Sequence, residues 1–212
     1  FILSISLCSV GNTENEFPLD PAITYGKLEN GFIYYIRENQ TPKDKVSIKL
    51  IIKAGSIMEE ENQLGLAHLL EHMAFNGSIN FPKRKIDEYM SSIGLNIGSH
   101  YNASVGFLKT NYVYEIPTNN DDDVEVALKI LTDISKNLSL EHEAFERERK
   151  IVEEEWRTDI GGSKNYINEF HKVMFKNSRF NERKPIGTLD IIQNFKYQDV
   201  IDYYQKWYRP QL

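Results

Sequence analysis

A chain of 212 residues with 41% hydrophobic, 26% charged and 12% aromatic residues has the make-up of an ordinary globular protein with ample material for a core. A net charge of −6 argues against nucleic acid as a partner, because phosphate binding needs a basic footprint. No apolar run approaches the ~18 residues of a membrane span, so no transmembrane segment is expected.

The chain opens on Phe1-Ile-Leu-Ser-Ile-Ser-Leu-Cys-Ser-Val10, an apolar run entering small residues. It reads either as a truncated secretory signal, which would point to the secretory pathway, or as a buried or disordered arm. The single cysteine, Cys8, lies in this run, leaving the rest without a disulfide or a thiolate metal ligand. The polar stretch to Pro21 is a linker, so 1–21 is a signal-like segment plus linker and 22–212 a single domain. Residues 25–37 predict a hairpin turning at Asn30-Gly31. Residues 45–53 alternate Val46, Ile48, Leu50 and Ile52 against a mostly solvated face and predict a strand. Glu59, Glu60 and Glu61 then precede a helix over 64–75, near its positive end.

Pro82 opens a second helix, 83–93, closed by Gly94. Strands follow at 95–104 and 108–116, then a helix over 121–137. Its Asp121-Asp-Asp123 cluster reads as a solvated first turn rather than a calcium loop, the oxygen ligands being wrongly spaced for calcium. A long helix spans 141–158, ended by Gly161-Gly162. Helices at 165–175, 190–194 and 199–207 complete the chain, with Tyr197, Tyr203, Tyr204, Trp207 and Tyr208 assigned to helix packing. The order of strands and helices predicts an α+β fold, a mostly antiparallel sheet with helices packed on one face.

Chemistry concentrates in His68-Leu-Leu-Glu-His72. At about 100° per residue, with His68 at zero, His72 falls at about 40° and Glu71 at about −60°, so all three share one face of an otherwise apolar helix. Buried imidazoles and a carboxylate must pair or coordinate something. Two histidines four apart grip one metal ion, beside a carboxylate that handles protons; the alternative is three polar groups satisfied within a core. The order inverts the commoner zinc-protease spacing. The long helix offers a third ligand, since Glu148 and Glu155, about −20° apart on the wheel, both sit in its apolar stripe. A metal would answer one and the other would orient an imidazole, unless both are buried against arginines such as Arg157. Of the other histidines, His100 reads as a polar residue at a strand end or a cleft residue, and His142 and His171 as helix-surface residues.

These motifs resemble the insulysin and pitrilysin zinc metallopeptidases, which include the mitochondrial processing peptidases. The resemblance is carried by His68-Leu-Leu-Glu-His72 with Met-Ala-Phe-Asn-Gly77 after it, by Glu148-Arg-Lys-Ile-Val-Glu-Glu-Glu-Trp-Arg157, and by Pro185-Ile-Gly187 and Trp207-Tyr-Arg-Pro210. It implies that His68, His72 and Glu155 hold Zn2+, that Glu148 supports a ligand imidazole, and that Glu71 is the catalytic base. It also implies that Asn102 and Ala103 receive the backbone of an extended peptide substrate. The implied architecture is one half of a clamshell-type metallopeptidase, its partner being the C-terminal half of the same longer protein or a separate subunit. An isolated half would bind zinc with little or no turnover. The competing expectation is a non-catalytic family member or partner subunit that keeps the fold.

Overall fold

Strand β3 (Lys45–Ile52) turns Leu50 and Ile52 into the interior and leaves Lys45, Ser47, Lys49 and Ile51 outside. It pairs antiparallel with β5 (Thr110–Pro117), placing Leu50 opposite Tyr112 and Ile48 opposite Tyr114 on one face. β5 in turn pairs antiparallel with β4 (Tyr101–Val105), Ala103 opposite Tyr112, giving the order β3-β5-β4. A separate hairpin joins β1 (Ile23–Lys27) to β2 (Ile33–Arg37) through a turn whose Gly31 has φ 92°. The computed structural model describes residues 18–159 and 163–211. The signal-like run with Cys8, most of the linker, and the Gly161-Gly162 stop lie outside the described residues.

The buried face of the sheet is covered by helices, as the α+β reading expects. The first is α1 (Leu66–Met73), whose Leu66, Leu69, Leu70 and Met73 are buried, and which packs on β4. Next comes α2 (Lys85–Ser92), followed by α3 (Asp121–Lys136), which lies on β3 and β5 with Ala127, Ile130 and Ile134 buried. The long α4 (His142–Asp159) packs against α1 and buries Phe145 and Val152. Then come α5 (Ser163–Met174), α6 (Arg179–Glu182), α7 (Leu189–Asn194) and α8 (Tyr197–Trp207). No helix among the described residues is long and apolar enough to cross a membrane.

Several boundaries move for identifiable reasons. The helix expected from 64 starts at Leu66, because Gly65 adopts a left-handed φ of 98°. The strand expected over 95–104 begins only at Tyr101; Gly94 and Gly98, at φ 80° and 85°, turn the chain before it. The second helix starts at Lys85 rather than 83, since Lys83 has φ 54°. The acid cluster is not wholly solvated: Asp123 is buried and accepts hydrogen bonds from Tyr89 and Asn120. The aromatic set does pack, with Tyr203 bonded to the Gly55 carbonyl and Tyr208 to Tyr112.

Candidate metal centre

An eight-residue helix has no great intrinsic stability, and α1 is held by what surrounds it. Its N-cap, Gly65, supplies no capping side chain. The buried Glu59 carboxylate accepts instead from the Gly65 N–H at 3.0 Å and the Ala67 N–H at 2.9 Å. Burial pushes Glu59 up, to about 8, against these amides and the Arg183 charge. Sequence reasoning treated Glu59, Glu60 and Glu61 alike, because three consecutive acids carry no sign of which one turns inward.

The face so fixed points at α4. His68 Nε2 and His72 Nε2 are 3.3 Å apart, their rings edge to face. Glu155 Oε2 lies 3.6 Å from the first and 3.5 Å from the second, so three ligand atoms form a nearly equilateral triangle. Bonds of about 2.0–2.1 Å in a tetrahedral zinc site require edges of about 3.3–3.4 Å, so the donor set and its spacing fit zinc. The Glu155 side chain is 44% exposed, which leaves the open side of the triangle facing solvent. Arg157, the arginine offered as an alternative partner for the carboxylates, pairs instead with Glu153 and Glu154.

Glu71 stands just outside the triangle, with Oε2 at 3.9 Å and 4.0 Å from the two Nε2 atoms. Glu148, one α4 heptad before Glu155, faces the far side of His72, Oε2 to Nδ1 at 3.5 Å. Its other oxygen is 3.4 Å from Arg147 Nε. Asn76 ties these together, donating to the His72 carbonyl and accepting from Arg147. Neither Asn76 nor Arg147 was singled out from the sequence. The signal available for Asn76 was its place in the motif's continuation, and Arg147 sits on the flank of the helix wheel.

Burial, then the neighbouring His72, lowers His68 to about 4, so its imidazole is neutral. For His72, burial works against the charged form, but the Glu148 hydrogen bond and the charges of Glu71, Glu155 and Glu148 outweigh it and raise its pKa. Burial raises Glu71 to about 7; His72 opposes the shift and Glu155 adds to it. For Glu148 burial is outweighed by hydrogen bonds from His72 and Asn76 and by the His72 and Arg147 charges, which hold it below the usual range. Four groups of two chemical types thus occupy four different electrostatic environments.

One open cleft is lined by this cluster, by Phe75, and by Asn102 and Ala103 of β4. β4 is the outer strand of its sheet; Tyr101 at its start is bridged to Ile97 and accepts the Gly98 N–H, and β4 pairs with no further named strand among the described residues. His100 lies outside the cleft lining and accepts the Asn96 N–H through Nδ1, closing the turn before β4. His142 is exposed, stacked edge-on to Tyr197. His171 departs from the surface reading: it is half-buried against Phe107 and Phe175.

Residues 34–184 match the family described as Insulinase (Peptidase family M16). The chain is 36% identical over 214 residues to "Probable zinc protease PqqL" of Haemophilus influenzae, covering 99% of this chain and 23% of that protein. It superposes on the crystal structure of the first half of the periplasmic protease PqqL from Escherichia coli with a TM-score of 0.88 at 32% identity. That match covers 92% of this chain and 42% of the other. Pitrilysin, at 23% identity and a TM-score of 0.72, shares the fold, the match covering 90% of this chain and 20% of that one. The chain therefore spans about a quarter or less of the full-length relatives named here.

Proposed function

The chain belongs to the insulinase family of peptidases, Peptidase family M16, and from that premise we propose that it is the metal-binding part of a zinc-dependent endopeptidase acting on extended peptides. The observation that carries this reading is the triangle of His68 Nε2, His72 Nε2 and Glu155 Oε2, with edges of 3.3, 3.5 and 3.6 Å. The zinc-protease names of relatives such as PqqL support it.

In this proposal His68, His72 and Glu155 hold the ion. The chemistry supplied by bound zinc is Lewis-acid polarisation and acidification of water to a pKa of about 7. Glu71 takes a proton from the attacking water and returns it to the leaving amine. Its place beside the triangle, and a pKa raised to about 7 by burial, suit a group that must both accept and release a proton. Glu148 holds His72 through Nδ1, fixing which ring nitrogen faces the cleft. The peptide adds as a strand along the edge of β4 away from β5, where Asn102 and Ala103 line the same cleft. In a protein of the relatives' length, the remaining chain would complete the cleft wall and the substrate contacts.

The test is metal analysis with peptide hydrolysis, the hydrolysis measured in a protein of the relatives' length. Glu155→Ala should lose stoichiometric zinc. Glu71→Gln should keep it while hydrolysis falls by about 10²–10⁴-fold. Cleavage by Glu71→Gln at the parent rate would refute the assignment, and full zinc occupancy in Glu155→Ala would refute the ligand set.

A further inference from the structure

We propose that Glu59 is a positioning residue for the metal centre, setting the depth and rotation at which α1 presents His68 and His72 to Glu155. The inference rests on the metal reading above.

Four observations converge on it. The carboxylate divides its oxygens between two amides of the helix start: Oε2 takes Gly65 and Oε1 takes Ala67, the residue next to His68. Glu59 is itself anchored from a distant part of the chain. Its carbonyl accepts Arg179 Nη2 at 2.7 Å and Arg183 Nε at 3.0 Å, and Arg179 Nε also reaches the Ile57 carbonyl at 2.9 Å. Arg183 is buried, pairs with Glu61, and through its carbonyl accepts Ser56 Oγ at 2.5 Å. Finally, Gly187 lies directly against Leu64 and Gly65: a Cβ on Gly187 would sit 2.2 Å from the Leu64 oxygen. The turn at residues 56–63 is thus wedged between α1 and the segment 179–187, and Glu59 is the only side chain in it that bonds the helix amides among the described residues.

The consequence is metrical. A metal site tolerates ligand distances within about ±0.2 Å, and a helix whose first turn slides moves both imidazoles together relative to α4. An ordinary N-cap from an adjacent Ser or Asp would satisfy the amides without fixing the helix against a remote element. The Glu59 arrangement does both.

The experiment compares Glu59→Gln with the parent by cobalt substitution. Cobalt(II) absorption bands report ligand geometry, and zinc affinity is read in parallel by chelator competition. Gln keeps one acceptor oxygen but turns an NH2 toward the second amide, so α1 should shift. The expected result is altered band positions or intensity and zinc binding weakened about tenfold or more. Ile130→Ala, a buried change in α3, supplies a destabilised control outside α1 and α4 whose bands should equal the parent's. Glu59→Asp, one methylene shorter, should give intermediate bands, and it is read in the same way where Gln prevents folding. Parent-like bands and affinity in whichever Glu59 variant folds would overturn the proposal, as would bands in Ile130→Ala that move as far. A parent protein that binds no cobalt would instead overturn the metal reading, and the positioning role with it.

Discussion

Glu148 is the residue whose role the helix wheel alone left exchangeable with that of Glu155, and its replacement by Gln separates the two. The carboxylate lies 3.5 Å from His72 Nδ1 and 3.4 Å from Arg147 Nε. Two full charges at that separation would interact by about 5 kcal/mol at an effective dielectric of about 20. The net loss is smaller, because a metal-bound imidazole presents an N–H dipole on this side and Gln still offers an oxygen to it. Loss of such outer partners weakens metal binding by about 10–100-fold, or about 1.4–2.7 kcal/mol. Glu155→Gln removes the charge of an oxygen within the triangle itself, so it should cost more. The assay is zinc affinity at neutral pH by competition with a chromophoric chelator, parent and both variants side by side. Binding by Glu148→Gln within about threefold of the parent would refute the supporting role. A larger loss for Glu148→Gln than for Glu155→Gln would mean the two glutamates had been assigned the wrong way round.

Three further outcomes follow from groups around the site. Asp133 accepts from Ser78, Asn80 and Asn137, and although burial opposes ionisation, these bonds hold it below the usual carboxylate range. A depressed carboxylate stabilises the fold above the unfolded value and loses that stability as pH falls through the folded one. Asp133→Asn should therefore be less stable at neutral pH by about 1–3 kcal/mol, with a shallower acid limb below about pH 4 by thermal melting; an unchanged acid limb would contradict this. Glu59 has the opposite sign: raised from 4.5 to about 8, it keeps a proton that the unfolded chain releases, so stability should fall as pH rises between the two values. Urea titrations at about pH 5 and 8 should show a decline of at most about 5 kcal/mol from this group, flattened in Glu59→Gln, and equal slopes would refute it. Gly187→Ala, at φ 75° with its Cβ 2.2 Å from the Leu64 oxygen, should cost clearly more than Gly94→Ala, at φ 80° with nothing within 4 Å. The second carries backbone strain alone, about 1 kcal/mol, so equal melting temperatures for the two would show that the Gly187 approach carries no weight.

What could be read from the sequence follows from which interactions are periodic. The apolar alternation of 45–53 survives as β3 because a half-buried strand imposes period two along its whole length. His68, Glu71 and His72 were legible for the same reason, since a helix repeats its face within four residues, and Glu148 and Glu155 because seven residues return to nearly the same azimuth. The pairing of those two faces has no local signature; it is set by α4 packing on α1, across more than seventy residues of chain. The same holds for Glu59, whose partners Arg179 and Arg183 lie some 120 residues away. Boundaries failed where a single dihedral decided them, at Gly65, Lys83, Gly94 and Gly98, since positive φ depends on the surrounding packing as much as on residue type. His171 was misjudged because its helix looks solvent-facing until Phe107, from the β4–β5 turn, is brought against it.

The electrostatic character of the centre follows from placing like charges where water is scarce. Glu71 and Glu155 approach the same pair of imidazoles, and their repulsion is one reason that Glu71 is raised, after burial itself. The lowered pKa of His68 leaves His72, whose charged form these carboxylates favour, as the imidazole that answers the cluster from within. Arg147 cannot substitute, because it is engaged by Glu148 and Asn76 on the far side of His72. The charged form of His72 is favoured by Glu148, Glu71 and Glu155, and in the proposed site a divalent cation between the three ligand atoms would take over that balancing role and draw Glu71 back toward ionisation. In the proposed role, a base whose proton affinity is raised by burial and lowered by a bound cation would sit where proton transfer to and from water costs least in either direction. In the proposed site the pKa of Glu71 and the balance of charge around the three ligand atoms are one property, both set by how closely α1 is held against α4.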